Sequence, residues 1–299
     1  MPDVRPDIPP WGPPPGRPAV LSRAAGGAGR AGAVPAGRAV PAAAPEPGGG
    51  RPRAVVVPGF GHPMLAPLEW AELVRPGLPL AWAVLGPSGA GGGPGGRADP
   101  FCRTAAARLR VSGRPVLGLL DLEFGARPYR ELICAAHRYL QWYRVDGFLL
   151  DECPGDPEDL DRIAALVRTL TVLRPGALLV LGHDTGAAGR HPHPGYAEIP
   201  GVRQLVTFRG SWAQYRGYQA PEWTRRHPAA RFCHLVHGVP ERALDHALRV
   251  AGREGAGAVY VTDRCGRALP AGRGHTDPWA SLPGYWDRFV SCVGTGVSE

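Results

Sequence analysis

Asp151 and Glu152 are adjacent carboxylates that close Val145-Asp-Gly-Phe-Leu-Leu-Asp-Glu152, an apolar run of strand length. An acid at the tip of so apolar a run is costly to bury without a task. Neighbouring side chains on a strand point to opposite faces, so these two diverge until the chain curls into its loop. Glycoside hydrolysis is the chemistry paired carboxylates suit. It needs two acids about 5–5.5 Å apart for retention or about 6.5–9.5 Å apart for inversion. A partner must therefore come from an adjacent strand, ~4.8 Å away. Asp121 and Glu123, expected on one face at the end of the preceding strand, and Asp184, at the end of the following one, are the candidates. The competing reading of Asp151-Glu152 is a helix cap with a surface ion pair.

Seven other segments end in polar tips: Gly59-Phe-Gly-His62, Gly86-Pro-Ser88, Asp121-Leu-Glu123, His183-Asp184, Arg209-Gly-Ser211, His237-Gly238 and Thr262-Asp263. Strands are predicted at 54–58, 80–86, 115–124, 147–152, 177–183, 204–208, 232–237 and 258–262, with amphipathic stretches such as 128–144 and 157–174 between them. In the latter, Leu160, Ile163, Ala164, Val167, Leu170 and Val172 fall near 3.6-residue spacing. Apolar runs without alternation fit strands covered on both faces, hence a parallel sheet. Eight strands alternating with helices, each delivering polar groups at its C-terminal end, predict a (β/α)8 TIM barrel over 54–292. The fifth repeat is the weakest, because 191–200 has little helical character. No glycine fingerprint follows the first strand, which argues against a doubly wound sheet, and Gly89–Gly96 lacks the Lys-Ser/Thr of a phosphate loop.

The 299 residues include no Lys and no Asn, so all 34 basic residues are Arg, a mark of biased coding rather than of a nucleic-acid partner. Residues 1–53 hold seven Arg against three acids (+4), and the remainder 27 Arg against 23 acids (+4). No sustained basic face with interleaved aromatics appears, and nucleic acid is not expected as a partner. The segment 1–53, rich in Pro, Gly, Ala and Arg, is read as a disordered tail. It contains no uninterrupted apolar core of a secretory signal. No stretch of about 18 apolar residues is present, so no membrane span is expected and a cytoplasmic location is the default. Six scattered cysteines without C-x-x-C spacing predict reduced thiols, not disulfides or a zinc site. No cofactor is expected. A metal at His183, Asp184, His191 and His193 is disfavoured, since loop histidines in a Pro- and Gly-rich segment are usually solvated.

An ordered series of motifs runs along the chain: Gly86-Pro-Ser-Gly89 followed by Asp99-Pro100; Val116-Leu-Gly118; Tyr139-Leu-Gln-Trp-Tyr-Arg-Val-Asp-Gly147; Asp151-Glu152; Phe208-Arg-Gly-Ser211; His234-Leu-Val-His-Gly238; Tyr260-Val-Thr-Asp263; and Asp277-Pro-Trp-Ala-Ser-Leu-Pro-Gly-Tyr-Trp286. The order and spacing resemble the spherulation-specific family 4 proteins over roughly residues 54–290. That resemblance implies a (β/α)8 barrel related to fungal glycoside hydrolases of galactosamine-containing polysaccharide. It also implies acids at the Asp-Glu pair after strand four, matched by Asp151 and Glu152, and a Glu after strand six. The third acid is not matched, because Phe208-Arg209-Gly210-Ser211 stands where the family has Phe-Glu-Gly-Ser. Other strand ends depart too, at Gly86-Pro87, Asp121-Leu122-Glu123 and His183-Asp184-Thr185-Gly186.

Arg is effectively always protonated, so Arg209 cannot serve as acid, base or nucleophile. In one reading Asp121, Glu123 or Asp184 supplies the missing carboxylate and Arg209 grips an anionic group of a glycan. In the other the barrel only binds carbohydrate. Trp212, Tyr215, Trp223, Tyr260, Trp279 and Trp286 are candidates to stack on sugar rings, with Trp212 favoured. His237 is a candidate hydrogen-bonding group, and Asp263 a candidate to orient substrate or cap a loop. The expected partner is a polysaccharide or oligosaccharide.

Overall fold

The computed structural model describes residues 51–59, 61–87, 93–183, 191–266 and 277–294. Eight parallel strands close into a barrel in chain order: β1 (Ala54–Val57), β2 (Leu80–Leu85), β3 (Val116–Asp121), β4 (Gly147–Asp151), β5 (Leu178–Gly182), β6 (Val202–Ser211), β7 (Phe232–His237) and β8 (Ala258–Val261). The α-helices among the described residues are α1 (Pro67–Glu72), α2 (Pro100–Val111), α3 (Tyr129–Tyr143), α4 (Leu160–Leu173), the single turns α5 (Gly195–Glu198) and α6 (Trp212–Tyr215), α7 (Leu244–Arg253) and α8 (Trp286–Gly294). The barrel matches the expectation from the alternating pattern. The disordered reading of 1–53 falls almost wholly outside the described residues, as does Asp184.

Two predicted strand ends move by three residues, the other boundaries by two at most. β3 stops at Asp121 because Glu123 and Phe124 adopt left-handed φ values of 48° and 52°, which no strand accommodates. β6 runs on to Ser211, three residues beyond its apolar stretch, because β7 pairs with it as far as Ser211 against His237.

The helices take their places for local reasons. α2 starts at Pro100 with the Asp99 side chain accepting from Cys102 N–H at 2.8 Å, an N-cap followed by the residue best pre-set for a first turn. α3 buries Leu132, Ala135, Ala136, Tyr139 and Tyr143, one stripe at three- and four-residue spacing. It settles on β3 only because residue 118 is glycine, since a Cβ there would stand 2.7 Å from the Tyr139 ring. Inside the barrel, Trp82 of β2 donates through Nε1 to Gln204 Oε1 of β6 at 2.8 Å, both side chains buried. This polar bridge across the lower half, with the Val and Leu of the strands around it, makes the interior a packed core rather than a pore. The open space lies above it, at the C-terminal ends.

Candidate functional site

A cavity of about 630 Å³ occupies the C-terminal mouth of the barrel, floored by Val84 and Leu119. Asp121, Asp151, Glu152, Arg209 and His237 reach it from the tips of β3, β4, β6 and β7, and Asp277 and Trp279 from the segment after β8. The position is the one at which barrels of this type assemble active sites.

Register brings the acids together. Asp121 and Asp151 are direct partners in the β3–β4 ladder. Past the strands the tips stay tied, with Leu122 N–H donating to Asp151 O at 2.9 Å and Phe124 N–H to Glu152 O at 3.0 Å. On the other side Cys153 N–H donates to Gly182 O at 2.9 Å. Glu152 itself has φ of 46°, a strained value for a residue with a side chain. This twist makes the chain leave the strand with Asp151 and Glu152 both lining the cavity instead of facing opposite ways.

The two carboxylates have separate environments. Asp151 Oδ1 lies 2.5 Å from Arg209 Nη1, a charge-assisted pair that spans β5. Room for that span comes from Gly182, where a Cβ would stand 2.8 Å from Asp151 Oδ1. Arg209 also lies over the Trp279 ring, its guanidinium carbon 5.9 Å from the centroid. Glu152 turns the other way, toward Asp121, with which it shares a side-chain hydrogen bond. Asp121 Oδ1 accepts from Glu123 N–H at 2.9 Å. Partial burial, then the charges of Asp121 and Asp151, push the Glu152 carboxyl up to about 7, against a smaller opposing pull from Arg209.

His237 lines the same cavity, its ring 5.8 Å from that of Trp279. Burial and the Arg209 charge hold its pKa below the ordinary value, so the imidazole is neutral at pH 7. Its Nδ1 has no hydrogen-bond partner among the described residues.

Several expected residues stand elsewhere. Glu123 is exposed in the turn after β3 and is not among the residues around the cavity, because the left-handed turn swings it off the strand face it would have shared with Asp121. Trp212 packs in the outer layer, its ring 5.3 Å from His246 of α7 and 6.3 Å from Tyr215. Tyr260 is fully buried, donating to Ser281 O at 3.1 Å. Asp263 accepts from Gly284 N–H at 3.1 Å and pins the returning chain. Tyr215, Trp223 and Trp286 are likewise outside the cavity lining, whereas Trp279 is in it.

Trp279, a softer candidate from the sequence, and Asp277 and His62, not expected as site residues, also line the cavity. The Asp277-Pro-Trp279 motif just past the last strand was the available signal. There Trp279 N–H donates to Asp277 Oδ1 at 2.9 Å, and Gly61 N–H to Ala280 O at 2.8 Å, which folds this segment over the mouth beside β1.

His62, Asp99 and Cys102 bring ligand atoms within 4.8 Å of one another. Their hydrogen bonds describe a structural cluster instead. His62 Nδ1 accepts from Met64 N–H at 3.2 Å, so the proton sits on Nε2, which points at Asp99 Oδ1 3.4 Å away. Burial, then Asp99, push the Cys102 thiol up to about 12. Of the histidines considered for a metal, His183 is buried with Nδ1 3.1 Å from Cys153 O, His191 packs on Tyr218 at 5.5 Å, and His193 accepts from Gly195 N–H at 3.1 Å.

The model of spherulation-specific family 4 matches residues 54–293, the whole barrel. The chain belongs to that family. Among solved structures, Aspergillus clavatus Sph3 in complex with GalNAc aligns over 83% of this chain and 99% of its own, at 22% identity and a TM-score of 0.64. The spore cortex-lytic enzyme SleL of Bacillus cereus aligns over 82% and 75% at 10% identity and a TM-score of 0.49. No curated protein matches the chain in sequence. At 22% identity the likeness to Sph3 is one of fold.

Proposed function

We propose that the barrel acts on carbohydrate, as a glycoside hydrolase of an amino-sugar or anionic polysaccharide, with Glu152 as proton donor. The observation that carries this reading is a carboxyl held protonated to about 7 at the wall of a 630 Å³ cleft. A general acid needs that poise to protonate a departing glycosidic oxygen near neutral pH. Family membership and the fold likeness to Sph3, which was crystallised with GalNAc, support the substrate class.

Each neighbour then has a task. Asp121 accepts the hydrogen bond of the protonated Glu152 and recovers it when the proton returns. Asp151, anchored by Arg209, places negative charge beside the oxocarbenium-like centre that forms as the bond breaks. Asp277, on the wall formed by the segment beside β1 and therefore across the barrel mouth from β4, is the second carboxylate that water activation requires. Trp279 and His237 line the cleft where a sugar ring would sit.

A second reading, a barrel that binds glycan without cleaving it, is favoured by Arg209 itself. It occupies the position where the resemblance places the third acid, and it engages Asp151. Product release from purified galactosamine-rich and uronic-acid-containing polysaccharides, with Glu152→Gln in parallel, separates the two. Oligosaccharides that disappear in Glu152→Gln support hydrolysis. Absence of cleavage, with binding that Arg209→Glu abolishes, supports the binding barrel.

A further inference from the structure

A second cavity, of about 470 Å³, lies between the chain at Gly93–Gly96, after β2, and the outer face of α3. Arg127, Arg130 and Arg138 line it, against one acid, Glu131. Arg130, Cys134 and Arg138 succeed one another at four-residue intervals, a single row along the helix. The walls are braced. Tyr143 Oη donates to Pro94 O at 3.0 Å and accepts from Asp99 N–H at 3.1 Å, which holds the glycine-rich segment against α3. Arg127 donates to Asp121 O at 3.2 Å, and the Arg138 guanidinium lies 5.7 Å from the Trp142 ring centroid, so both stems are placed by other groups.

Like charges gathered in a concave wall raise a positive potential that an exposed convex surface would dissipate. Arg127 Nε stands 3.9 Å from Glu131 Oε2, so the row of Arg130 and Arg138 carries the excess positive charge. We propose that this second cavity is an oxyanion site, taking a sulfate, phosphate monoester or carboxylate group through Arg130 and Arg138. Guanidinium forks meet such groups by paired hydrogen bonds, which sets the chemical class. The site is independent of what the barrel mouth does.

Cys134, exposed on the same wall, reports occupancy. Alkylation of Cys134 by iodoacetamide, resolved by peptide mass spectrometry, would be followed at fixed ionic strength with inorganic phosphate, sulfate or a glucuronic-acid oligosaccharide. Cys265, also exposed and next to Gly266 of the main cleft, is the internal control for the inorganic anions. An occupying anion covers the thiol and opposes its ionisation, so Cys134 labelling should slow by about fivefold or more and saturate, while Cys265 labelling is unchanged. Protection must be lost in the Arg130→Gln/Arg138→Gln double variant, whose unaltered melting curve would show that it folds. Protection by the inorganic anions alone would identify a small free anion as the ligand, and protection by the oligosaccharide an acidic glycan. Equal protection by potassium chloride, no slowing with any of the three, or protection that survives in the double variant would overturn the proposal.

Discussion

Replacing Glu152 by Gln should stabilise the protein, and only at neutral and alkaline pH. The Glu152 carboxyl stands at about 7 in the folded chain against an ordinary 4.5. Below ~4.5 both folded and unfolded states bind the proton, and the group contributes nothing. Between the two values the folded state holds a proton that the unfolded state has released, so stability falls as pH rises; above ~7 the full penalty is present. Taken whole, the displacement corresponds to ~3.4 kcal/mol. The carboxyl faces an open cleft, where solvent screens it, so ~1–2 kcal/mol is expected. Gln keeps the size and hydrogen-bonding reach of the protonated acid and removes that term. For a barrel of this length the gain is a rise in Tm of about 2–8 °C at pH 8, vanishing near pH 4. Thermal unfolding of the two proteins across pH 4–8.5 reads it. A gain of the same size at both ends of the range, or a loss at pH 8, would refute the electrostatic account of Glu152.

Further outcomes follow from neighbouring groups. Arg209→Met removes the charge that favours ionised Glu152, so the Glu152 titration should move up by about 0.5–1 pH unit, measured by carboxyl ¹³C NMR. Gly182→Ala puts a Cβ 2.8 Å from Asp151 Oδ1; it should cost about 1–3 kcal/mol in denaturant unfolding and weaken the hold on Arg209. Phe124→Gly relieves a left-handed φ of 52° at a side chain that is 57% exposed. It should be neutral to stabilising, by up to ~1 kcal/mol, whereas Phe124→Ala should not be.

Much of the scaffold was legible in the sequence because a parallel barrel writes its strands as continuous apolar runs. All eight predicted runs overlap observed strands, and the errors sit where the chain changes regime. Leu122 is apolar and buried, so the β3 run reads on to Phe124, yet the backbone has already turned left-handed. Arg209-Gly210-Ser211 reads as loop, yet the β7 ladder keeps it extended. Of the site, the positions carried on strand ends were legible: Asp121, Asp151, Arg209 and His237 reach one cavity, each fixed by strand register. Residues on connecting segments were not, since no periodicity records the path of a loop. Trp212, one residue past β6, turns into the outer layer within a single helical turn capped by Ser211. Trp279, well past β8, returns over the mouth. The Glu152–Asp121 hydrogen bond depends on a backbone twist at a non-glycine residue, which residue type alone does not signal.

The most direct test of the account is the pH dependence of oligosaccharide release from a galactosamine-rich polysaccharide. Release should fall as pH rises through about 7, where Glu152 loses its proton, and should be absent in Glu152→Gln at every pH. Release that continues unchanged in Glu152→Gln would contradict the assignment of Glu152 as the acid.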